Sequence, residues 1–217
     1  CIRDSYMAEN FADAKIAIIY RNDDAYSQGI RDTFVKEATD KGMAVVYEGT
    51  FTNDTATDFT VQLTGAQKAG ADLVFMPIYY QPASVIFAQA KAMGYAPTFF
   101  GVDGMDGILD MPGFDVSLAE GLVLMTPFCA TVESSKSFVD AYVAAYGTTP
   151  NQFAADAYDC MYAIYEACTA AGITADMDHE TICDKLIETF TSSDFSVDGL
   201  TGTGTVSYTH LRAHETL

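Results

Sequence analysis

From residue 15 onward the chain repeats one pattern of apolar and polar positions. KIAIIY (15–20) is a short continuous apolar run. It is followed by AYSQGIRDTFVKEATDKG, in which Ile30, Phe34 and Ala38 recur at i, i+4 and i+8. The first pattern predicts a strand buried on both faces, the second a helix with one apolar stripe. Gly42 stands where such a helix needs a left-handed closing residue. MAVVYE (43–48) and a helix ending at Gly70 follow, then DLVFM (72–76) and a helix ending at Gly94. PTFFG (97–101) and EGLVLM (120–125) complete five predicted strands.

Strands alternating with helices predict an α/β fold, a doubly wound parallel sheet covered on both faces. In such sheets ligands bind just beyond the carboxyl ends of the strands. After TPF (126–128) the grammar changes. SSKSFVDAYVAAYG, NQFAADAYDCMYAIYEACTAAG and HETICDKLIETF read as three helices with no strand between them. Phe153, Ala157, Met161 and Ile164 or Tyr165 share one side of the second. These helices cannot continue the same winding and belong to a second, incomplete lobe, whose uncovered apolar faces are an aggregation hazard. Three regions are therefore expected: 1–128 as one α/β lobe, 129–206 as helices of the incomplete lobe, and 207–217 as a tail.

Composition narrows the function. The formal charge is −19 and the 11 basic residues are scattered singly. Nucleic acid is excluded as a partner, because phosphate binding needs clustered Lys and Arg. Anionic membrane surfaces are disfavoured for the same reason. No stretch reaches the roughly 20 apolar residues of a membrane span. The five cysteines form no CxxC pair and read as small buried hydrophobes. Both ends read as truncated, without initiator Met or signal peptide. Cys1 resembles a lipidated cysteine but lacks the polar tether that usually follows one. SYTHLRAHETL (207–217) breaks the style of the chain, holds two of the three histidines, and is set aside as vector-like.

Catalytic and metal chemistry finds little support. His179 opens a polar helix and reads as solvated. There is no GxSxG elbow, no Cys–His pair, no GxGxxG and no Walker lysine; GLTGTGT (199–205) has glycines without that context. Asp103, Asp106 and Asp110 are spaced by three and four, unlike a calcium loop; the last two read as decorating a short helix, MDGILDM. Asp23 and Asp24 mimic a phosphoacceptor's acidic pair, but the third strand runs into PIYYQP without the required aspartate. No catalytic residue, metal or cofactor is expected.

What remains is aromatic and acidic. Tyr26 follows the first strand, Tyr79 and Tyr80 the third, and Asp103 the fourth. Tyrosine packs a small ligand with its ring and donates with its hydroxyl. A carboxylate there would pair with a ligand ammonium. With 13 tyrosines in the chain a single one weighs little. Asp103 weighs more, because Gly101 and Gly104 would let backbone approach a ligand.

KIAIIYRNDDAYSQG, DLVFMPIYYQPAS, TFFGVDGMDG, AEGLVLMTPF and NQFAADAYDCMYAIYEA, in that order, resemble the branched-chain amino acid binding proteins of ABC transporters. These are type I periplasmic binding proteins, with two α/β lobes closing on a ligand. The resemblance spans roughly residues 1–205. It implies that 1–128 is most of a C-terminal lobe and that 129–206 returns to an N-terminal lobe. It implies that Asp103 holds the ligand ammonium, Tyr26 packs over the ligand, and Tyr79 or Tyr80, with Tyr79 favoured, lies beside them. Phe153 is carried over to the side-chain pocket. The implied function is an extracellular receptor that captures an amino acid, branched-chain or similar, and delivers it to an ABC permease. The implied location is the periplasm or the outer face of the cytoplasmic membrane, attached only through a lipid anchor. The alternatives are an amino acid or amide sensor of the same fold and, at low weight, an α/β enzyme.

Overall fold

In a computed structural model, residues 2–202 are described, with side chains from Ser5 onward. Cys1, the 207–217 tail with its two histidines, and the end of GLTGTGT lie outside the described residues. The chain divides into two compact units between Thr126 and Pro127.

The first unit opens with helix α1 (Ile2–Asn10) and continues β1 (Lys15–Arg21), α2 (Ala25–Lys41), β2 (Ala44–Phe51), α3 (Thr60–Lys68), β3 (Leu73–Met76), α4 (Tyr80–Ala92), β4 (Thr98–Gly101) and β5 (Val123–Leu124). All strand pairs are parallel, in the order β2-β1-β3-β4-β5. The chain winds outward from β1 to β2, then returns to place β3 on the other side of β1. The carboxyl ends of β1 and β3 thus form a topological switch point, where a crevice opens.

Alternation along the strands sends side chains to two cores. Ala17, Ile19, Val74 and Met76 face α3 and α4, meeting Leu63, Ile86 and Phe87. Ile16, Ile18, Leu73, Phe75 and Phe100 face α2 and α1, meeting Phe34, Ala38 and Met7. Phe75 packs against Phe34 and Phe100, with ring centroids 4.4 and 6.0 Å away. Helix α2 begins at Asp24, whose carboxylate accepts from the Ser27 N–H at 2.9 Å, and ends at Gly42. Gly42 adopts φ 70°, a left-handed conformation that costs glycine little.

Helix α1 is not anticipated by the sequence pattern. Among its described side chains Met7 is the one large buried residue, too sparse a stripe to register. The short helix expected over MDGILDM is two 3-10 turns instead, Asp103–Met105 and Ile108–Asp110. Gly107 separates them at φ 89° and breaks the helical run.

The second unit holds α5 (Lys136–Tyr146), α6 (Gln152–Ala170) and α7 (His179–Thr191). Phe138 of α5 packs against Phe128 and Tyr158, with centroids 5.9 and 4.9 Å away. Lys185 of α7 donates to the Ala171 carbonyl at 2.8 Å. On α6, Asp159 accepts from the Leu200 and Thr201 N–H groups and the Thr201 hydroxyl, each at 2.8 Å, pinning the segment after α7. Much of the apolar surface of α6 is exposed, including Phe153, Met161, Ile164 and Tyr165.

The cysteines correct the sequence reading. Cys129, Cys160 and Cys183 are exposed and Cys168 is half-buried. Helix α7 buries none of its residues and α6 only Gln152, Ala155 and Ala167, so these helices offer no enclosed place for a thiol.

Candidate functional site

Three of the expected residues converge at the switch point. Tyr26 lies in the first turn of α2, Tyr79 just beyond β3, and Asp103 just beyond β4. The Tyr26 hydroxyl donates to Asp103 Oδ1 at 2.8 Å and accepts from the Gly104 N–H at 2.9 Å. The rings of Tyr26 and Tyr79 stack at 5.1 Å with an interplanar angle of 28°. Among the described residues, Asp103 Oδ2 carries no hydrogen bond.

This geometry has electrostatic consequences. Burial, and then the Asp103 carboxylate, push the Tyr26 pKa far above the ordinary tyrosine range. The hydroxyl stays protonated and acts as a fixed donor. The Tyr79 pKa is also raised, by burial first and then by Asp24, while Arg21 opposes the shift.

Ser27, fully buried, holds the local frame. Its hydroxyl donates to the Pro77 carbonyl at 2.6 Å and accepts from the Arg21 N–H at 2.9 Å. The exits of β1 and β3 are therefore tied together under the tyrosine pair.

The space beside Gly104 is filled from within the protein. A Cβ there would lie 2.8 Å from the Tyr26 hydroxyl oxygen and 3.0 Å from the Ile78 carbonyl oxygen. The absent side chain admits Tyr26 to the Gly104 N–H, a different use from the ligand approach expected of it. Tyr80, one residue after Tyr79, is the first residue of α4 and packs against the core on the α3 and α4 side. The structure therefore brings Tyr79, and not Tyr80, to Tyr26. Phe153 sits in the first turn of α6 in the second unit, 41% exposed.

Arg21 and Ser27 escaped the sequence reading. Ser27 has no signature beyond its place in a helix's first turn. Arg21 had one: a basic residue closing an apolar strand in a strongly acidic chain. Its Nε donates to Asp23 Oδ1 at 2.7 Å, which raises its pKa further. The other Asp23 oxygen accepts from the Asn53 N–H at 3.1 Å. Asp23 and Asp24 are thus an ion-pair partner and a helix cap. Beside them Tyr79 borders a cavity of about 480 Å³ that also touches Arg21, Phe51, Asn53, Gln81 and Met111.

Among the described residues no group of three or more His, Cys, Asp or Glu is placed to hold a metal ion. No helix among them is long and apolar enough to cross a membrane. His179 is exposed at the start of α7.

Comparisons with known proteins agree with this architecture. A family model described as periplasmic binding protein matches residues 5–215, reaching into the 207–217 segment. The Leu/Ile/Val-binding protein homolog 2 of Brucella abortus is 30% identical over 101 residues, covering 46% of this chain and 26% of that protein. The branched-chain amino acid transporter substrate-binding protein LivJ of Streptococcus pneumoniae, solved with isoleucine, is 28% identical with a TM-score of 0.74. The match covers 93% of this chain and 55% of LivJ. The leucine-binding protein LivK of Thermotoga maritima, at 23% identity and a TM-score of 0.74 over 93% of this chain and 55% of that one, shares the fold. The chain thus spans about a quarter of the curated relative and about half of these solved ones. An α/β sheet wound about a β1/β3 switch point and a family match over nearly the whole chain lead to one assignment: the chain belongs to the periplasmic binding protein family.

Proposed function

We propose that this chain carries the ammonium-binding half of an amino acid receptor serving an ABC permease. The observation behind this reading is the Asp103 carboxylate, held through one oxygen by a tyrosine that cannot ionise at neutral pH, with its other oxygen accepting from no donor among the described residues. A ligand ammonium at Oδ2 would gain a charge-assisted hydrogen bond. The stacked Tyr26 and Tyr79 would supply an apolar wall beside it. The site is read as one of capture without catalysis, delivering its ligand unchanged.

On this reading residues 1–128 form most of the C-terminal lobe, and residues 129–206 contribute helices to the N-terminal lobe. Phe153 would face the side-chain pocket when the two lobes close. Binding-driven hinge closure would present the loaded receptor to the permease. The protein would work in the periplasm or at the outer face of the cytoplasmic membrane, tethered by a lipid anchor. Its relatives, a Leu/Ile/Val-binding protein homolog and LivJ solved with isoleucine, support α-amino acids, branched-chain or similar, as the ligand class.

Calorimetric titration with L-leucine, L-isoleucine and L-valine tests the reading. Asp103→Asn leaves a buried ammonium without its counter-charge, a loss of about 3–5 kcal/mol, so affinity should fall about a hundredfold or more. An Asp103→Asn protein that binds these amino acids as tightly as the parent would overturn it.

A further inference from the structure

The cavity beside Tyr79 is a second recognition element. Arg21 is the last residue of β1 and Phe51 the last of β2, and Ile78 and Tyr79 follow β3, so the cavity lies at the same carboxyl-end rim as Asp103. Tyr79 is common to both: it stacks on Tyr26, which holds Asp103, and it borders the cavity. Tyr79 thus stands between the Asp103 site and a cavity that Arg21 also lines.

The Arg21 guanidinium is fixed and only partly used. Its Nε is bonded to Asp23, which is itself held by the Asn53 N–H. A guanidinium has five N–H donors, so the two terminal nitrogens retain four. Among the described residues they have no hydrogen-bond partner. The polar residues Asn53, Gln81 and Ser84 line the same cavity, beside apolar ones that include Phe51, Ile78 and Met111. Because Asp23 already balances the charge of Arg21, the subsite suits an acceptor oxygen whether or not that oxygen carries a full charge.

We infer that the Arg21 cavity receives the side chain of the bound amino acid, and that the favoured ligand ends in an acceptor oxygen, a carboxamide or a carboxylate, rather than in an alkyl group. This rests on Asp103 as the ammonium site; among α-amino acids it shifts the preference from branched alkyl side chains to acceptor-bearing ones.

The test uses the whole chain, labelled with ¹⁵N, titrated separately with L-leucine, L-glutamine and L-glutamate. The Gly104 N–H reports the Asp103 end and the Arg21 Nε–H reports the cavity. Glutamine or glutamate should move both resonances with one dissociation constant, while leucine moves Gly104 alone and binds at least about tenfold more weakly than the better of the two. Arg21→Gln should weaken the acceptor-bearing ligand by at least about tenfold and leave leucine unchanged. Glutamine against glutamate separates the neutral oxygen from the charged one.

The inference is overturned if leucine moves Gly104 and neither acceptor-bearing ligand moves Arg21, or if Arg21→Gln weakens all three ligands equally. If no amino acid moves Gly104, or if Asp103→Asn leaves the titrations unaltered, the ammonium reading itself fails, and this inference with it.

Discussion

At the scale of single residues, the Tyr26 hydroxyl does two things at once. It donates to Asp103 and receives the Gly104 N–H, so two backbone segments are tied by one oxygen. Tyr26→Phe should therefore loosen Asp103 without unfolding the sheet, seen as sharply increased mobility at Gly104 in ¹⁵N relaxation; an unchanged Gly104 would mean that the bond carries no positional role. Gly104→Ala presses a methyl group onto the Tyr26 oxygen and the Ile78 carbonyl. It should cost about 1–3 kcal/mol by overpacking, readable in urea unfolding. Ser27→Ala removes the partner of both the Arg21 N–H and the Pro77 carbonyl in a fully buried place. A loss of about 1–3 kcal/mol is expected from groups left unsatisfied, and a neutral substitution would contradict the tie between the β1 and β3 exits.

The same residues mark the limit of sequence reading at this scale. Asp103 stands out by its glycine neighbours, but its partner Tyr26 lies 77 positions away, and no periodicity connects them. Tyr79 and Tyr80 differ only in which way the chain turns after Pro77 and Ile78. Whether the second starts α4 or stacks on Tyr26 is decided by backbone direction, which the pattern YY does not contain.

At the scale of elements, the strands and helices of the first unit from β1 to α4 were legible because two signals coincided: apolar runs for the strands and left-handed glycines after the helices. Gly42, Gly70 and Gly94 all have positive φ. Strand β5 shrank to Val123–Leu124 because pairing with β4 involves only Phe100 and Gly101. The packing makes its own prediction. Phe75 is fully buried between Phe34 and Phe100, so Phe75→Ala should cost about 3–5 kcal/mol of unfolding free energy. Tyr95, buried with its hydroxyl donating to the Ala71 carbonyl, ties the end of α4 to the start of β3. Burial, with help from Asp72, pushes its pKa up to about 12, from 10.0. A raised tyrosine pKa means that stability is fully present below pH ~10 and is lost as pH rises through about 12. The difference in absorbance at 295 nm between the parent and Tyr95→Phe should show Tyr95 ionising only together with alkaline unfolding; a difference that develops in the still-folded protein near pH ~10 would contradict its burial.

At the scale of the whole molecule, the two units differ in how they bury apolar surface. The first has two cores on the faces of one sheet. The second leaves Met161 66% and Tyr165 64% exposed on the same helix. Sequence periodicity revealed that stripe, but the stripe alone does not name what covers it. An exposed stripe of this kind should bind the dye ANS, and Met161→Lys with Tyr165→Lys should remove most of that fluorescence without altering far-UV circular dichroism. Dye binding that survives the double substitution would place the accessible apolar surface elsewhere.

The central claim is that Asp103 recognises an ammonium group. The most direct test compares L-leucine with 4-methylpentanoate, which keeps the alkyl chain and carboxylate but lacks the amine, by titration of the Gly104 N–H. Leucine should shift that resonance saturably and 4-methylpentanoate should not. Equal shifts and equal affinities for the two would show that the amine is not what the site reads, and Asp103 would lose its role.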